Sequence, residues 1–350
     1  MSPTEGGSGG VGDGPMLGID VGGTKVLGVL VGAGGRVLAE QRREAVSGGE
    51  ELVDDLADLA RNLLGAAGRR GRLEGEGAAT LGVGVPGLVD HSGRLLFAPN
   101  LLGVSGTPVG DEVARRLGPG VRVAVDNDAN CAAVGECAFG AGRGRRDVLF
   151  VTLGTGIGGA ILAAGRLLRG AVNFAGEIGH MVVDPKGPPC PCGRRGCWER
   201  YASGSGLRRI AREAALAGRA AKVMALAGGD ADALRGEHVV RAAEEGDGEA
   251  KQILEELAWW LALGLANLAN VLDPEVIVVG GGLAAAGGIL LEPTRRAFFD
   301  QLEGSSVRPR IDIAAAELGD RGGAVGAAVV GRLGPDSAGA TEPVRLPTGG

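Results

Sequence analysis

Cys190, Cys192 and Cys197 fall within the eight residues CPCGRRGC, and His180 stands ten residues ahead of Cys190 in GEIGH. Three thiolates and one imidazole make a Cys3His set, the donor types that hold tetrahedral Zn2+ at closed structural sites. A disulfide needs an oxidising compartment, and C-x-C is not the C-x-x-C spacing of redox dithiols. The reading is a structural metal loop with ligands His180, Cys190, Cys192 and Cys197, which leaves no open position to activate water. Two acids flank it: Glu177 lies three residues before His180 and Glu199 two after Cys197. A pinned loop holds both carboxylates where sugar hydroxyls can donate to them, and His180 can bind metal with one ring nitrogen and face substrate with the other. A structural metal with nothing else around it accounts for the same residues.

Three further stretches carry chemistry. DVGGTK places Asp20 at a strand end, then Gly22, Gly23, Thr24 and Lys25. Backbone N–H groups of such a turn can hold phosphate while the carboxylate organises Mg2+; an ordinary hairpin turn fits equally. GTGIGG fits the dinucleotide pattern, but AILAAGRLL after it reads as a strand and turn rather than the required helix. Gly154, Thr155 and Gly156 are therefore read as a second phosphate-facing turn. DNDAN, residues 126–130, starts like a calcium loop, but Cys131 and Cys137 stand where glycine and glutamate are needed. It reads either as a capping cluster where a strand meets a helix, or as a carboxylate held at a helix start as general base for a substrate hydroxyl.

The elements that must position these residues follow from periodicity. MLGIDVGGTKVLGVLV is strand, glycine turn, strand, with GRVLAEQRRE a third strand, and EELVDDLADLARNLLGAA has helical spacing. TLGVGVPGLVD is a buried strand, and VRVAVDNDANCAAVGECAFG runs from strand into helix. DVLFVTLGTGIGGAILAAG repeats the opening pattern. A helical region from about Ser205 to Leu272, the strand PEVIVVGGG, a helix through Phe298 and Phe299, the strand RIDIAAA and a last helix follow. Two similar halves predict a duplicated α/β architecture with a cleft between them.

Composition sets bounds on this. The chain has 350 residues, 68 of them glycine, a net charge of −6 and a pI near 5.3. The charge gives no electrostatic footprint for nucleic acid. Both ends read as flexible tails, residues 1–15 and 334–350. The first lacks the basic and apolar regions of a signal peptide, and no run is long enough to span a bilayer comfortably, so a cytoplasmic protein without a membrane partner is expected.

DVGGTK, DNDAN, GTGIGG, GEIGH and CPCGRRGCWERYASG, in this order, resemble the ROK family of sugar kinases and repressors, over almost everything from Met16 to Leu333. The resemblance implies an α/β, actin-like ATPase (ribonuclease H-like) fold of two duplicated domains around a central cleft. The N-terminal domain would span 16–127, completed by the helix 320–333; the C-terminal domain would span 128–319 and carry the zinc loop 180–199. It implies ATP with Mg2+ and structural Zn2+, transfer of the γ-phosphoryl group to a hexose hydroxyl, and a dimer or tetramer. Carried over residue by residue, Asp128 resembles the catalytic base, with Asn127, Glu177, His180 and Glu199 around the sugar. Asn100 in FAPNL resembles a further sugar contact, and Gly280, Gly281 and Gly282 follow a strand where the nucleotide base and ribose lie. The wording of GEIGH and CWERYASG is similar to that of glucokinases, so glucose is the expected substrate, with fructose, N-acetylmannosamine and N-acetylglucosamine as alternatives. A repressor of the family would carry an N-terminal DNA-binding module, where this chain has a short Gly-rich tail before Met16.

Overall fold

The computed structural model describes residues 15–68, 79–98 and 101–334; the two expected tails lie almost wholly outside these. Strands β1 (Met16–Val21), β2 (Lys25–Val31) and β3 (Val37–Glu44) are antiparallel neighbours joined by short turns. β1 and β2 are apolar on both faces and almost wholly buried, as strands covered on both sides must be, whereas β3 alternates and forms the edge. Helix α1 (Gly49–Gly68) buries Leu52, Leu56, Leu59 and Leu63 in the same apolar cluster as Ile19, Val21 and Val26. Strand β4 (Ala79–Val85) pairs in parallel with β1, and β5 (Leu88–Val89) with β6 (Leu95–Phe97) forms a separate ribbon. Helix α2 (Val109–Leu117) leads to β7 (Val121–Asn127), parallel to β4, which runs without a break into α3 (Asp128–Phe139). The first sheet has the order β3-β2-β1-β4-β7.

The plan then repeats. Strands β8 (Val148–Leu153), β9 (Ile157–Ala163) and β10 (Arg166–Leu167) open a second sheet. After a single turn of helix, α4 (Glu199–Ala202), the helical region is four helices: α5 (Gly204–Leu216), α6 (Ala221–Leu226), α7 (Gly236–Glu244) and α8 (Gly248–Leu272). Strand β11 (Val276–Gly280), helix α9 (Gly288–Gln301), strand β12 (Asp312–Ala315) and helix α10 (Gly322–Leu333) complete the chain. The second sheet has the order β10-β9-β8-β11-β12, with β8, β11 and β12 parallel. In both sheets the opening strand is third, its two followers lie on one side, and the two later strands lie on the other. Among the described residues no helix is long and apolar enough to cross a membrane.

Two compact units result. One holds the described residues up to Arg146, Ile161–Ala175 and those from Asp320 onward; the other holds Asp147–Ala160 and Gly176–Gly319. In the first, α10 is buried nearly all round and lies on β1, β4 and α3. Its sequence GGAVGAAVVGRL explains the closeness. A Cβ on Gly326 would overlap the Cys131 carbonyl of α3, and one on Gly82 of β4 would overlap the Ala327 carbonyl of α10. Part of the glycine excess is thus spent on backbone-to-backbone contact in the core, where no side chain fits.

Candidate functional site

The site residues of the first unit stand at the C-terminal ends of parallel strands, the usual place for ligands in such sheets. Asp20 of β1, Gly84 of β4 and Asp126 of β7 are in register across the sheet. A Cβ on Gly84 would lie 3.3 Å from Cys131 Sγ and 3.4 Å from Asp20 Oδ1, so the strand passes close to both. Burial, and then the Asp128 carboxylate, push Asp20 up to about 7. Beyond Asp20 the chain turns back tightly, with Gly22 N donating to the Lys25 carbonyl at 2.8 Å. Gly23, Thr24 and Lys25 form the exposed tip. DVGGTK is thus the hairpin turn between β1 and β2.

At the junction of β7 and α3, the capping role open to DNDAN falls to Asn127. Asn127 is the N-cap: its Oδ1 accepts from Ala129 N at 2.9 Å and Asn130 N at 3.2 Å, and its Nδ2 donates to the Gly87 carbonyl at 3.1 Å. One Nδ2 hydrogen remains beyond that bond. Asp128 is the first helical residue, with Oδ1 accepting from Ala129 N at 2.9 Å. Helix N-terminal N–H groups stabilise a carboxylate there. Asp126, which sequence reasoning passed over, is 2% exposed and holds the Arg169 guanidinium at 2.6 and 3.0 Å. No sequence pattern marks Arg169, which lies 43 residues away.

In the second unit, Gly154, Thr155 and Gly156 turn β8 into β9, so a strand follows them and the dinucleotide pattern lacks its helix. Gly204 N and Ser205 N at the start of α5 donate to the Gly154 and Thr155 carbonyls at 2.9 and 3.2 Å. Gly154, Thr155 and Gly282 line one cavity of about 820 Å3, with Ser205, Arg208 and Arg235. That volume suits a small-molecule ligand. Gly280, which ends β11, and Gly281, which follows it, are not among the residues lining the cavity, and Gly156 faces the Glu199 carboxylate instead. Arg208 and Arg235 stand on or beside helices that the sequence showed only as one apolar-periodic region.

The cysteine loop lies in the same unit. Ligand atoms of His180, Cys190, Cys192 and Cys197 all fall within 4.8 Å of one another. Cys192 Sγ is 3.5 Å from Cys197 Sγ, and Cys190 Sγ is 3.8 Å from His180 Nδ1. A tetrahedral zinc site with its usual bond lengths requires ligand separations of roughly 3.5–3.8 Å, so the donor chemistry and these two separations fit. The two imidazole nitrogens face different partners: Nδ1 faces the Cys190 thiol, while Nε2 lies 3.9 Å from Glu177 Oε2. Glu199 Oε1 accepts from Cys190 Sγ at 3.1 Å and lies 3.7 Å from His180 Nδ1. Burial raises the pKa of Glu177, His180 opposes that shift, and Glu199 adds to it. Between Cys197 and Glu199, Trp198 is fully buried, donates from Nε1 to the Trp260 carbonyl at 2.8 Å, and packs so closely on Gly264 of α8 that a Cβ there would overlap its ring. Sequence reasoning did not single out this anchor. Asn100 lies outside the described residues.

Comparison with known proteins places these features. Residues 16–332 match the ROK family. The chain is 38% identical over 322 residues to a glucokinase of Streptomyces coelicolor, covering 91% of this chain and 98% of that one. It is 37% identical over 319 residues to a glucokinase of Thermotoga maritima, covering 90% and 96%. The crystal structure of a ROK family glucokinase from Streptomyces griseus, in complex with glucose and AMPPNP, superposes with a TM-score of 0.78 at 40% identity, covering 92% of this chain and all of that one. The two like-ordered sheets are those of the actin-like ATPase fold. With a match that runs from β1 into α10 and takes in every motif above, the chain belongs to the ROK family.

Proposed function

We propose that this protein is an ATP-dependent glucokinase, transferring the γ-phosphoryl group of ATP to a hydroxyl of glucose. The observation that carries the reading is the full-length similarity to glucokinases, 37–38% identical over about nine-tenths of the chain. The acids and turns described above supply groups of the right chemistry. Asp128 is the general base: it takes the proton of the sugar hydroxyl as that oxygen attacks phosphorus and the bond to ADP breaks. Asn127, Glu177, His180 and Glu199 hold sugar hydroxyls, with Asn100 as a further contact. The turns Gly22–Lys25 and Gly154–Gly156 receive phosphates through backbone N–H groups, and the cavity lined by Gly282, with Gly280 and Gly281 just before it in the chain, receives the nucleoside.

Asp20 would organise Mg2+, which neutralises phosphate charge when bound with the nucleotide. His180, Cys190, Cys192 and Cys197 would hold structural Zn2+, which fixes the loop bearing Glu177 and Glu199. Thiolate ligands and ATP both belong to a reducing compartment, which supports a cytoplasmic enzyme. We take the assembly to be a dimer or tetramer, in line with the family.

ADP release from ATP, measured across glucose, fructose, mannose, N-acetylmannosamine and N-acetylglucosamine, tests the reading. The highest kcat/KM is expected with glucose. A higher value with another hexose would reassign the substrate within the same chemistry, and no sugar-dependent release would overturn the kinase reading.

A further inference from the structure

Both oxygens of the buried Asp126 carboxylate are engaged. Oδ2 accepts from Arg169 Nε at 3.0 Å and Nη2 at 2.6 Å, while Oδ1 accepts from Asn127 N at 2.8 Å and Asn130 Nδ2 at 2.9 Å. The pair is 11% and 3% exposed at its side chains, on the arginine and aspartate respectively. A buried ion pair of this kind is weak evidence for stability, because apolar residues of the same volume often serve folding as well. What the guanidinium provides is direction: Nε and Nη2 converge on Oδ2 from one side while Oδ1 is taken by Asn127 N and Asn130 Nδ2, so the four bonds leave the carboxylate one orientation. A lysine ammonium lacks the two fixed, coplanar donors. Asp126 in turn orients the backbone N–H of Asn127 and the side chain of Asn130, on either side of Asp128.

The arginine itself is held on a fixed segment. Four residues on, Asn173 Nδ2 donates to the Val89 carbonyl at 2.9 Å. His91 Nε2 lies 3.2 Å from the Ala171 carbonyl. All of these residues belong to the first unit, and the segment continues covalently into Gly176–His180.

We infer that Arg169, acting through Asp126, is a positioning residue for phosphoryl transfer: its fork fixes the first turn of α3 so that the Asp128 carboxylate meets the attacking hydroxyl. This rests on the reading of Asp128 as general base. Neither Arg169 nor Asp126 need touch substrate for it to hold.

Three variants of the full chain test it: Arg169→Met, Arg169→Lys, and the double variant Asp126→Asn with Arg169→Met. The double variant leaves no unpaired buried charge, and its amide oxygen can still accept from Asn127 N, so it remains informative where Arg169→Met alone fails to fold. Steady-state kinetics with glucose and ATP, corrected for folded fraction by circular dichroism, should show kcat about 10- to 100-fold lower for the methionine variants, with KM for ATP within about two-fold of wild type. Arg169→Lys should recover part of the loss. A double variant with kcat within about two-fold of wild type would overturn the inference, as would an equal rise in KM for ATP. Wild type without glucose-dependent ADP release would refute the base reading itself; active wild type with equally active variants would refute the role of Arg169 alone.

Discussion

Asn127 and Asp128 separate stability from chemistry by one residue. Asn127 takes the capping hydrogen bonds of α3, so the helix start does not depend on Asp128, whose Oδ1 accepts from Ala129 N. Asp128→Asn should therefore melt close to wild type while turnover falls by about 10² to 10⁴. Near-normal turnover in that variant would remove Asp128 from the base role. Asp20 makes a second prediction, about pH. Its pKa is raised from 3.8 to about 7, first by burial and next by Asp128. Between those values the folded protein keeps a proton that the unfolded chain has lost, so stability falls as pH rises from about 4 to about 7 and levels off above. In buffer free of divalent cation and nucleotide, Asp20→Asn should lack this slope. At pH 8 it should be more stable than wild type, by an amount on the order of 2–4 kcal/mol, while its kinase activity drops. Parallel urea melts of both proteins from pH 5 to 8 would read the difference, and identical pH slopes would refute the assignment. Asn127 and Asp128 were legible as a pair because Asp and Asn are favoured where a strand meets a helix. Arg169 was not legible, since nothing in RLLRGAV records what the guanidinium reaches.

At the scale of elements, most of the strand and helix order followed from periodicity, and the turn in GTGIGG was readable from the apolar strand after it. The β5–β6 ribbon and the short helix α2 were not read. Nor were close backbone contacts. The sequence GGAVGAAVVGRL shows a helix of small residues but not that β4 and α3 lie against it at backbone distance. Because a Cβ on Gly326 meets the carbonyl of Cys131 and the backbone nitrogen of Gly135, neither a rotamer change nor a flexible neighbour can relieve it. Gly326→Val should lower stability by about 1–3 kcal/mol or more, read as a fall in the urea midpoint with unchanged slope. Gly120→Ala is the matched control: nothing lies within 4 Å of its Cβ, so a change within about 0.5 kcal/mol is expected. Equal effects at both positions would show that general glycine entropy, rather than close contact, governs the core.

Across the whole molecule, the duplication was visible in sequence because each half opens with the same strand, glycine turn and strand. The 820 Å3 cavity was not, since it is lined by residues from Gly154 to Ala286 that only folding assembles. The same distinction governs what zinc should do for the chain. Small metal domains unfold without their ion, because the ligands are most of what holds them. Here the loop has other attachments: Trp198 lies fully buried on Gly264, Tyr201 donates to Asp184 Oδ2 at 2.8 Å, and Cys197 bridges to Val182. α8 and the second sheet stand without help from the thiols. Purified protein should therefore carry about one zinc per chain, and stripping it should leave the chain folded. Hydrogen exchange should then rise over residues 180–200 and stay unchanged in α3 and α10, which belong to the other unit. Glucose KM should rise as Glu177 and Glu199 lose their fixed placement. Loss of protection throughout the chain would mean that the metal, rather than Trp198 and α8, holds the second unit together; no change over 180–200 would mean that the four ligands hold no metal that matters to the loop.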